Sequence, residues 1–201
     1  MNVAPSKGKA QLFQSPLLER LTNTNIIFPL TIFPLIAIGT IYYCVSNKYL
    51  GPLETGFVFI LGIVLFTLVE YLMHRYLYHL RSNNKYALDI TYKMHGVHHD
   101  HPKDEHRLAM PIPLSLVISS VFFLLFKVLL GNYVFAFFPG FIIGYTAYLG
   151  IHYSVHAFAP PKNFLKILWI HHARHHYKNS EHAFGVSSPL WDIIFGTMPK
   201  A

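Results

Sequence analysis

The sequence predicts an all-α integral membrane protein, with four transmembrane helices and a cytosolic, histidine-rich helical cap holding a dinuclear metal site. Three observations carry this expectation. Of 201 residues, 53% are hydrophobic and only 12% are charged, about half the charged share usual in globular proteins. The apolar residues form long runs that surround each helix instead of marking one stripe. The chain has 14 histidines, and every one of them falls on the same side of those runs.

Residues 1–25 read as a polar, cytosolic N-terminal segment carrying Lys7, Lys9 and Arg20. No small-residue cleavage site follows a short apolar core, so a removable signal peptide is not expected. The membrane domain is expected over 26–201. Its first span runs from about Ile26 to Val45 and its second from about Thr55 to Met73. The third covers about Leu114 to Leu130 and the fourth about Tyr133 to Ile151. Each approaches the roughly 20 apolar residues that cross a bilayer core as helix. Only Gly131 and Asn132 separate the last two, which predicts a helical hairpin. Pro29, Pro34 and Pro139 lie inside spans, where neighbouring helices can satisfy the freed carbonyls.

Lys and Arg placement sets the orientation. Arg75, Arg81, Lys85, Lys93, Lys103 and Arg107 lie between spans two and three, and Lys162, Lys166, Arg174, Lys178 and Lys200 follow span four. The opposite side has Lys48 and Lys127, the latter able to snorkel to the interface. Both termini and the middle loop are therefore expected in the cytosol. Nucleic-acid binders gather basic residues on a soluble face. Here the formal charge of +7 flanks apolar runs, so membrane headgroups are the expected partner. Cys44 is the single cysteine, which excludes an internal disulfide and a Cys-rich metal site. It falls at the outer end of span one, where an impermeant maleimide should reach it only from the non-cytosolic side, provided it is not sterically shielded.

Four histidine clusters carry the chemistry. His74 and His79 form a His-x4-His pair, and His95, His98 and His99 form His-x2-His-His. His152 and His156 form His-x3-His, and His172, His175 and His176 repeat His-x2-His-His. Residues three and four apart share a helix face, so each of the last three clusters is expected to point at one centre. His74 and His79 do not align on a regular helix: either the helix ends between them or they serve different metals. Ten imidazoles exceed what one metal can use, whereas two metals with four or five nitrogens each can hold them. Imidazole suits iron, zinc, copper and nickel, and no His-Glu-x2-His metalloprotease signature is present.

Other residues are assigned around these clusters. Glu70, the only acid inside a span, is read as an orienter of a ligand imidazole, because intramembrane acids are functional by default. For Asp104 and Asp192 the same supporting role and a plain solvated or loop-capping role stand equally open. His101 and His171 adjoin clusters as supporting or surface residues, and His106 and His182 are read as polar surface residues. Arg75, Arg107 and Arg174 are expected to fix a substrate headgroup by charge-assisted contacts.

The clusters in this order resemble the fatty acid hydroxylase superfamily. Finer matches are to fatty acid 2-hydroxylases: Glu70-Tyr71 before His74, His95-Gly96-x-His98-His99, and Arg107-Leu108-x-Met110-Pro111. Phe184-Gly185-Val186-x-Ser188 followed by Leu190-Trp191-Asp192-Ile193-Ile194-Phe195-Gly196-Thr197 is also similar. The resemblance runs from about Gln11 to Pro199. It implies two iron ions on the ten histidines named above, with zinc as a substitute in purified protein. It implies monooxygenation at C2 of a long acyl chain, free or in a ceramide-like sphingolipid. Electrons would come from a separate cytochrome b5-type or ferredoxin-type donor, because about 25 residues before span one are too few for a fused cytochrome b5 domain. The family tends to have Asp where Leu149 stands, a departure that bears on substrate preference.

Three alternatives share features with this reading. A sterol or carotenoid hydroxylase or desaturase of the same superfamily shares the clusters but not the Phe-Gly-Val…Trp-Asp tail. A bis-His haem cytochrome needs only two pairs and would show a Soret band. A metal transporter would place its ligands in mid-membrane. The expected location is the bacterial inner membrane or the endoplasmic reticulum, with cytosolic termini. A reporter fused at Ala201 is accordingly expected in the cytosol, and finding it on the other side of the membrane would contradict this orientation.

Overall fold

The computed structural model describes residues 10–199. Lys7, Lys9, Lys200 and Ala201 of the orientation argument lie outside them. All regular structure among the described residues is helical. A short α1 (Pro16–Leu21) precedes α2 (Ile27–Ser46) and α3 (Pro52–Leu72), which continues as a π-helix over Met73–Tyr78. α4 (Lys85–Thr91) is capped by the Asn84 side chain, which accepts from the Tyr86 and Ala87 amides. It passes through a π-helical Tyr92–Gly96 into α5 (Val97–Asp100). Then come α6 (Ile112–Leu130), α7 (Val134–Ala157), α8 (Lys166–Tyr177) and α9 (Leu190–Ile194).

Three helical stretches are long and apolar enough to cross a membrane: Ile27–Ser46, Pro52–Tyr78 and Glu105–Ala157. The last holds both α6 and α7. Its chain reverses at Gly131, whose φ of 59° lies in the left-handed region that favours glycine. Ring pairs Phe122–Phe141 and Phe126–Phe137, both at 5.1 Å, show the two helices running antiparallel, as the short Gly131-Asn132 connection predicted. The fourth run is longer than the sequence suggested, reaching Ala157 instead of Ile151, because His152 and His156 continue the helix out of the apolar stretch. Most of the apolar surface points outward, with Leu35 61% and Val128 84% exposed. Water would not tolerate so continuous an apolar exterior, and the protein is a multi-pass membrane protein.

α7 is the central element, packed against α3 and α2. Phe33, Phe66, Phe138, Phe141 and Ile142 build the core around it. Small residues let the α3 and α7 backbones approach, the usual solution for helix pairs in lipid. A Cβ on Gly140 would fall 1.9 Å from the Phe59 carbonyl oxygen, and one on Gly62 would fall 2.1 Å from that of Phe137. α6 packs on α7 and stands away from α3.

Cys44 is sterically shielded, the case excepted from the labelling expectation. It is 0% exposed, packed with Val58 and Ala136, so a maleimide has no route to it in the folded protein. Its position near the end of a span does not make it accessible, because the α2–α3 turn folds over it.

Gly140→Ala should force α3 and α7 apart. The expected cost is about 1–3 kcal/mol, as for overpacked cores, read as a lower melting temperature in detergent. An unchanged melting temperature would contradict the close approach.

Candidate metal centre

The helix does end between His74 and His79, at Tyr78 with His79 as its C-cap, as one of the two sequence options held, and the two histidines do not part. α3 changes to π winding, and the His79 amide donates to the His74 carbonyl at 3.2 Å. An i→i+5 turn holds more residues than an α turn, so residues five apart share a face. The two rings lie 5.1 Å apart.

The ten predicted histidines gather into two groups of five. His74, His79, His95, His99 and His175 form one, and His98, His152, His156, His172 and His176 the other. Within each group one ring nitrogen per residue lies within 4.8 Å of all the rest. His152 and His156 share a group as expected. The two His-x2-His-His clusters do not each serve one centre, and here the helical-face argument needs correction. In each cluster the residues four apart stay together, His95 with His99 and His172 with His176, while the intervening His98 and His175 cross to the other group. Residues three and four apart flank a helix face from opposite sides, so two adjacent centres can divide one cluster. The groups abut where the His99 and His176 rings stack at 4.1 Å.

The donor set fits cations. In the first group the Nε2 atoms of His74 and His95, of His95 and His99, and of His79 and His175 each approach to 3.0 Å. In the second, His98 Nε2 is 3.1 Å from that of His152 and 3.2 Å from that of His176, and His156 is 2.8 Å from His172. Nitrogens about 2.0–2.1 Å from one ion, at right-angled to tetrahedral angles, stand roughly 2.9–3.3 Å apart. Lone pairs crowded this closely repel unless a hydrogen-bonding proton or a metal cation lies between them.

Behind the nitrogens, backbone carbonyls set the tautomers. His74 Nδ1 donates to the Phe184 carbonyl at 2.6 Å and His175 Nδ1 to that of His182 at 2.8 Å. His152 Nδ1 lies 3.3 Å from the Leu108 carbonyl. Such bonds leave Nε2 as the free acceptor. Burial also keeps the rings neutral. Desolvation, reinforced by neighbouring imidazoles, holds His95, His98, His172, His175 and His176 well below the ordinary histidine value. Desolvation pushes His79 down to about 4 and His99 down to about 3.

The predicted supporting residues divide. Glu70 does not touch an imidazole. Its Oε1 accepts from the Val186 and Ser187 amides at 2.7 and 2.9 Å, and its other oxygen accepts from the Ser187 hydroxyl. Asp192 accepts from the Phe184 and Gly185 amides at 2.9 and 2.8 Å, from Thr197 Oγ1 at 2.7 Å and from His171 Nε2 at 2.9 Å. Burial would raise its carboxyl, but these donors hold it below the usual range. Both acids therefore hold the 184–187 backbone, whose Phe184 carbonyl accepts from His74. Asp104 takes the loop-capping role left open for it, accepting from the His106 amide at 3.3 Å, and Arg107 departs from its expected role. Asp104 accepts from the Ala10 amide at 3.0 Å, and Arg107 donates to the Ala10 carbonyl and to Thr22 and pairs with Glu19. These partners consume the guanidinium, so Arg107 pins the N-terminal segment and is not offered to a headgroup. Arg75 donates to the Tyr71 hydroxyl at 2.8 Å, and Arg174 is half-buried on α8. His106 is exposed as expected, whereas His182 is partly buried and lends its carbonyl to His175.

Sequence reasoning missed the carbonyls of Leu108, His182 and Phe184, which no side-chain motif encodes. It also missed Tyr78 and Tyr148, stacked on His95 and His152 at 5.0 and 5.5 Å. Both tyrosines line an apolar cavity of about 260 Å³ between α3, α6 and α7. Glu70 and His74 lie on its wall, the latter the one residue of the ten to do so, and Met73 and Ile118, each 37% exposed, border it. Because α6 stands away from α3, the cavity faces the apolar surroundings sideways.

The fatty acid hydroxylase family model matches residues 59–197. The ceramide very long chain fatty acid hydroxylase of Schizosaccharomyces pombe is 36% identical over 195 residues, covering 94% of this chain and 55% of the relative. The dihydroceramide fatty acyl 2-hydroxylase of Arabidopsis thaliana is 30% identical over 201 residues, covering 96% of this chain and 82% of the relative. A solved structure, full length scs7p with only the hydroxylase domain visible, is similar with a TM-score of 0.88 at 33% identity. It covers 96% of this chain and 74% of that one. The chain thus spans about half the length of the first of these relatives.

Neutral buried imidazoles give the metal-free protein an acid-sensitive stability. A folded-state value below the unfolded 6.5 means that the unfolded chain binds more protons. The stabilisation is complete above pH 6.5 and is lost progressively as pH falls toward about 4 and then about 3. The melting temperature of metal-free protein should fall steadily below pH 6.5, and a flat profile from 6.5 to 4 would contradict the assignment.

Proposed function

This chain belongs to the fatty acid hydroxylase family, and from that membership and the paired nitrogen groups we propose that it hydroxylates C2 of a long-chain fatty acyl group. The substrate is a free fatty acid or the N-acyl chain of a ceramide-like sphingolipid. The observation that carries the reading is the junction of His74, one of the ten gathered imidazoles, with an apolar cavity open to the side. The ten imidazoles would hold two iron ions, five nitrogens to each, since imidazole suits iron and zinc has no redox chemistry. Iron so bound supplies reductive activation of O2, one atom entering the substrate and the other leaving as water.

The rest falls to the chain's own groups. The cavity takes the acyl chain from the bilayer between α3 and α6, with its Phe66, Phe122 and Phe141 walls excluding water. An amide or carboxyl held at the rim by Arg75 or Arg174 leaves the adjacent carbon nearest His74, and fixing that one C–H is the positional contribution of the site. Mid-chain carbons stay deeper between the helices. Four crossings, with the cap and termini in the cytosol, put the histidines at headgroup depth in an endoplasmic reticulum or bacterial inner membrane. Residues 26–201 form the catalytic membrane domain. The exposed basic residues around the cap suit a separate acidic cytochrome b5-type or ferredoxin-type donor, and the membrane, not nucleic acid, is the standing partner.

Under labelled O2 with such a donor, the product should be a 2-hydroxy acyl lipid carrying one labelled oxygen. Ala at any of the ten histidines should lower turnover at least a hundredfold. Label drawn from water, or oxygen placed at mid-chain or on a sterol ring, would defeat the assignment.

A further inference from the structure

The two nitrogen groups are backed by different surroundings, and we infer from this that the His74 group holds its ion more tightly than the His98 group. The inference rests on the reading that both groups bind metal. Behind the His74 group stands the segment 182–187, which offers two carbonyls to two of its rings, at 2.6 and 2.8 Å. That segment is itself fixed. Asp192 takes the amides of Phe184 and Gly185, and Glu70 takes those of Val186 and Ser187, so four consecutive N–H groups end on two carboxylates. A Cβ at Gly185 would fall 2.2 Å from the Ser188 carbonyl oxygen and 2.9 Å from Asp192 Oδ2, so the fit has no slack.

The His98 group lacks this backing. Its one carbonyl contact, Leu108 to His152 at 3.3 Å, exceeds the usual 2.7–3.2 Å range. Nδ1 of His98, of His172 and of His176 is buried without a partner among the described residues. An imidazole that donates its far N–H is a stronger base held in one orientation, and losing such a partner typically costs about 10–100-fold in metal affinity. Three rings of the His98 group bring neither advantage. Glu70 and Asp192 are therefore positioning residues for one site only, acting through the 184–187 backbone that carries the Phe184 carbonyl.

The test is metal release from the full chain in detergent, loaded with zinc and titrated with a chelator. Metal retained per chain is counted at each step, with no assay of turnover. The wild-type protein should release two equivalents in two steps, separated by roughly tenfold or more in free zinc. His156→Ala should remove the weak step and leave the tight one in place. His79→Ala should leave only the weak step. Asp192→Asn should move the tight step toward the weak one without shifting the weak one. Release of both equivalents in a single wild-type step would overturn the inference, and it needs no variant to fold. So would a weak step surviving in His156→Ala, or both steps moving in Asp192→Asn. Failure of any form to take up zinc would overturn the metal reading itself, and this inference with it.

Discussion

Ten imidazoles converge on two small volumes, and the fold depends on keeping them uncharged. A protonated ring among its four neighbours would face a desolvation penalty for its charge. The surroundings of the site serve that end. Burial lowers the proton affinity of the rings, carbonyls fix which nitrogen carries the hydrogen, and the acids stand one remove away, on backbone amides. A carboxylate placed directly against these rings would have favoured the imidazolium form. The arrangement of Glu70 and Asp192 stiffens the 184–187 backbone while keeping both carboxyl groups off the ten rings.

The same requirement explains the architecture around the centre. α7 carries His152 and His156 on its last turns and α3 carries His74 at its end, so the close α3–α7 packing through Gly62 and Gly140 sets the distance between the groups at its root. The 101–110 loop supplies the Leu108 carbonyl. It is anchored from outside by the Arg107–Glu19–Asp104 knot, with both side chains of the Arg107–Asp104 pair 4% exposed. A buried pair of this kind is a weak source of net stability, but it ties the N-terminal segment to the loop that faces His152.

Much of this was legible in the sequence. The apolar runs located the long helices within a few residues, because a bilayer demands a minimum length, and the clusters named all ten convergent histidines. What escaped was local and geometric. The π turns at Met73–Tyr78 and Tyr92–Gly96 change which residues share a face, and no composition signal announces them. The crossing of His98 and His175 between groups depends on having two centres side by side, which helical periodicity alone treats as one. Arg107 and Asp104 looked like site residues because they follow a cluster. Their partners lie more than eighty residues away in sequence, at Ala10, Thr22 and Glu19.

The crossing of His98 and His175 also bears on how such a protein can change over generations. Each His-x2-His-His cluster gives two nitrogens to one pocket and one to the other. Erasing either cluster would leave one pocket with three nitrogens and its neighbour with four, so neither pocket can be shed cleanly while the other persists. A lineage could not drift through a working mononuclear form by discarding one cluster, because the damage would always be shared. The interlock makes the pair a single heritable unit, because losing either whole cluster takes nitrogens from both pockets.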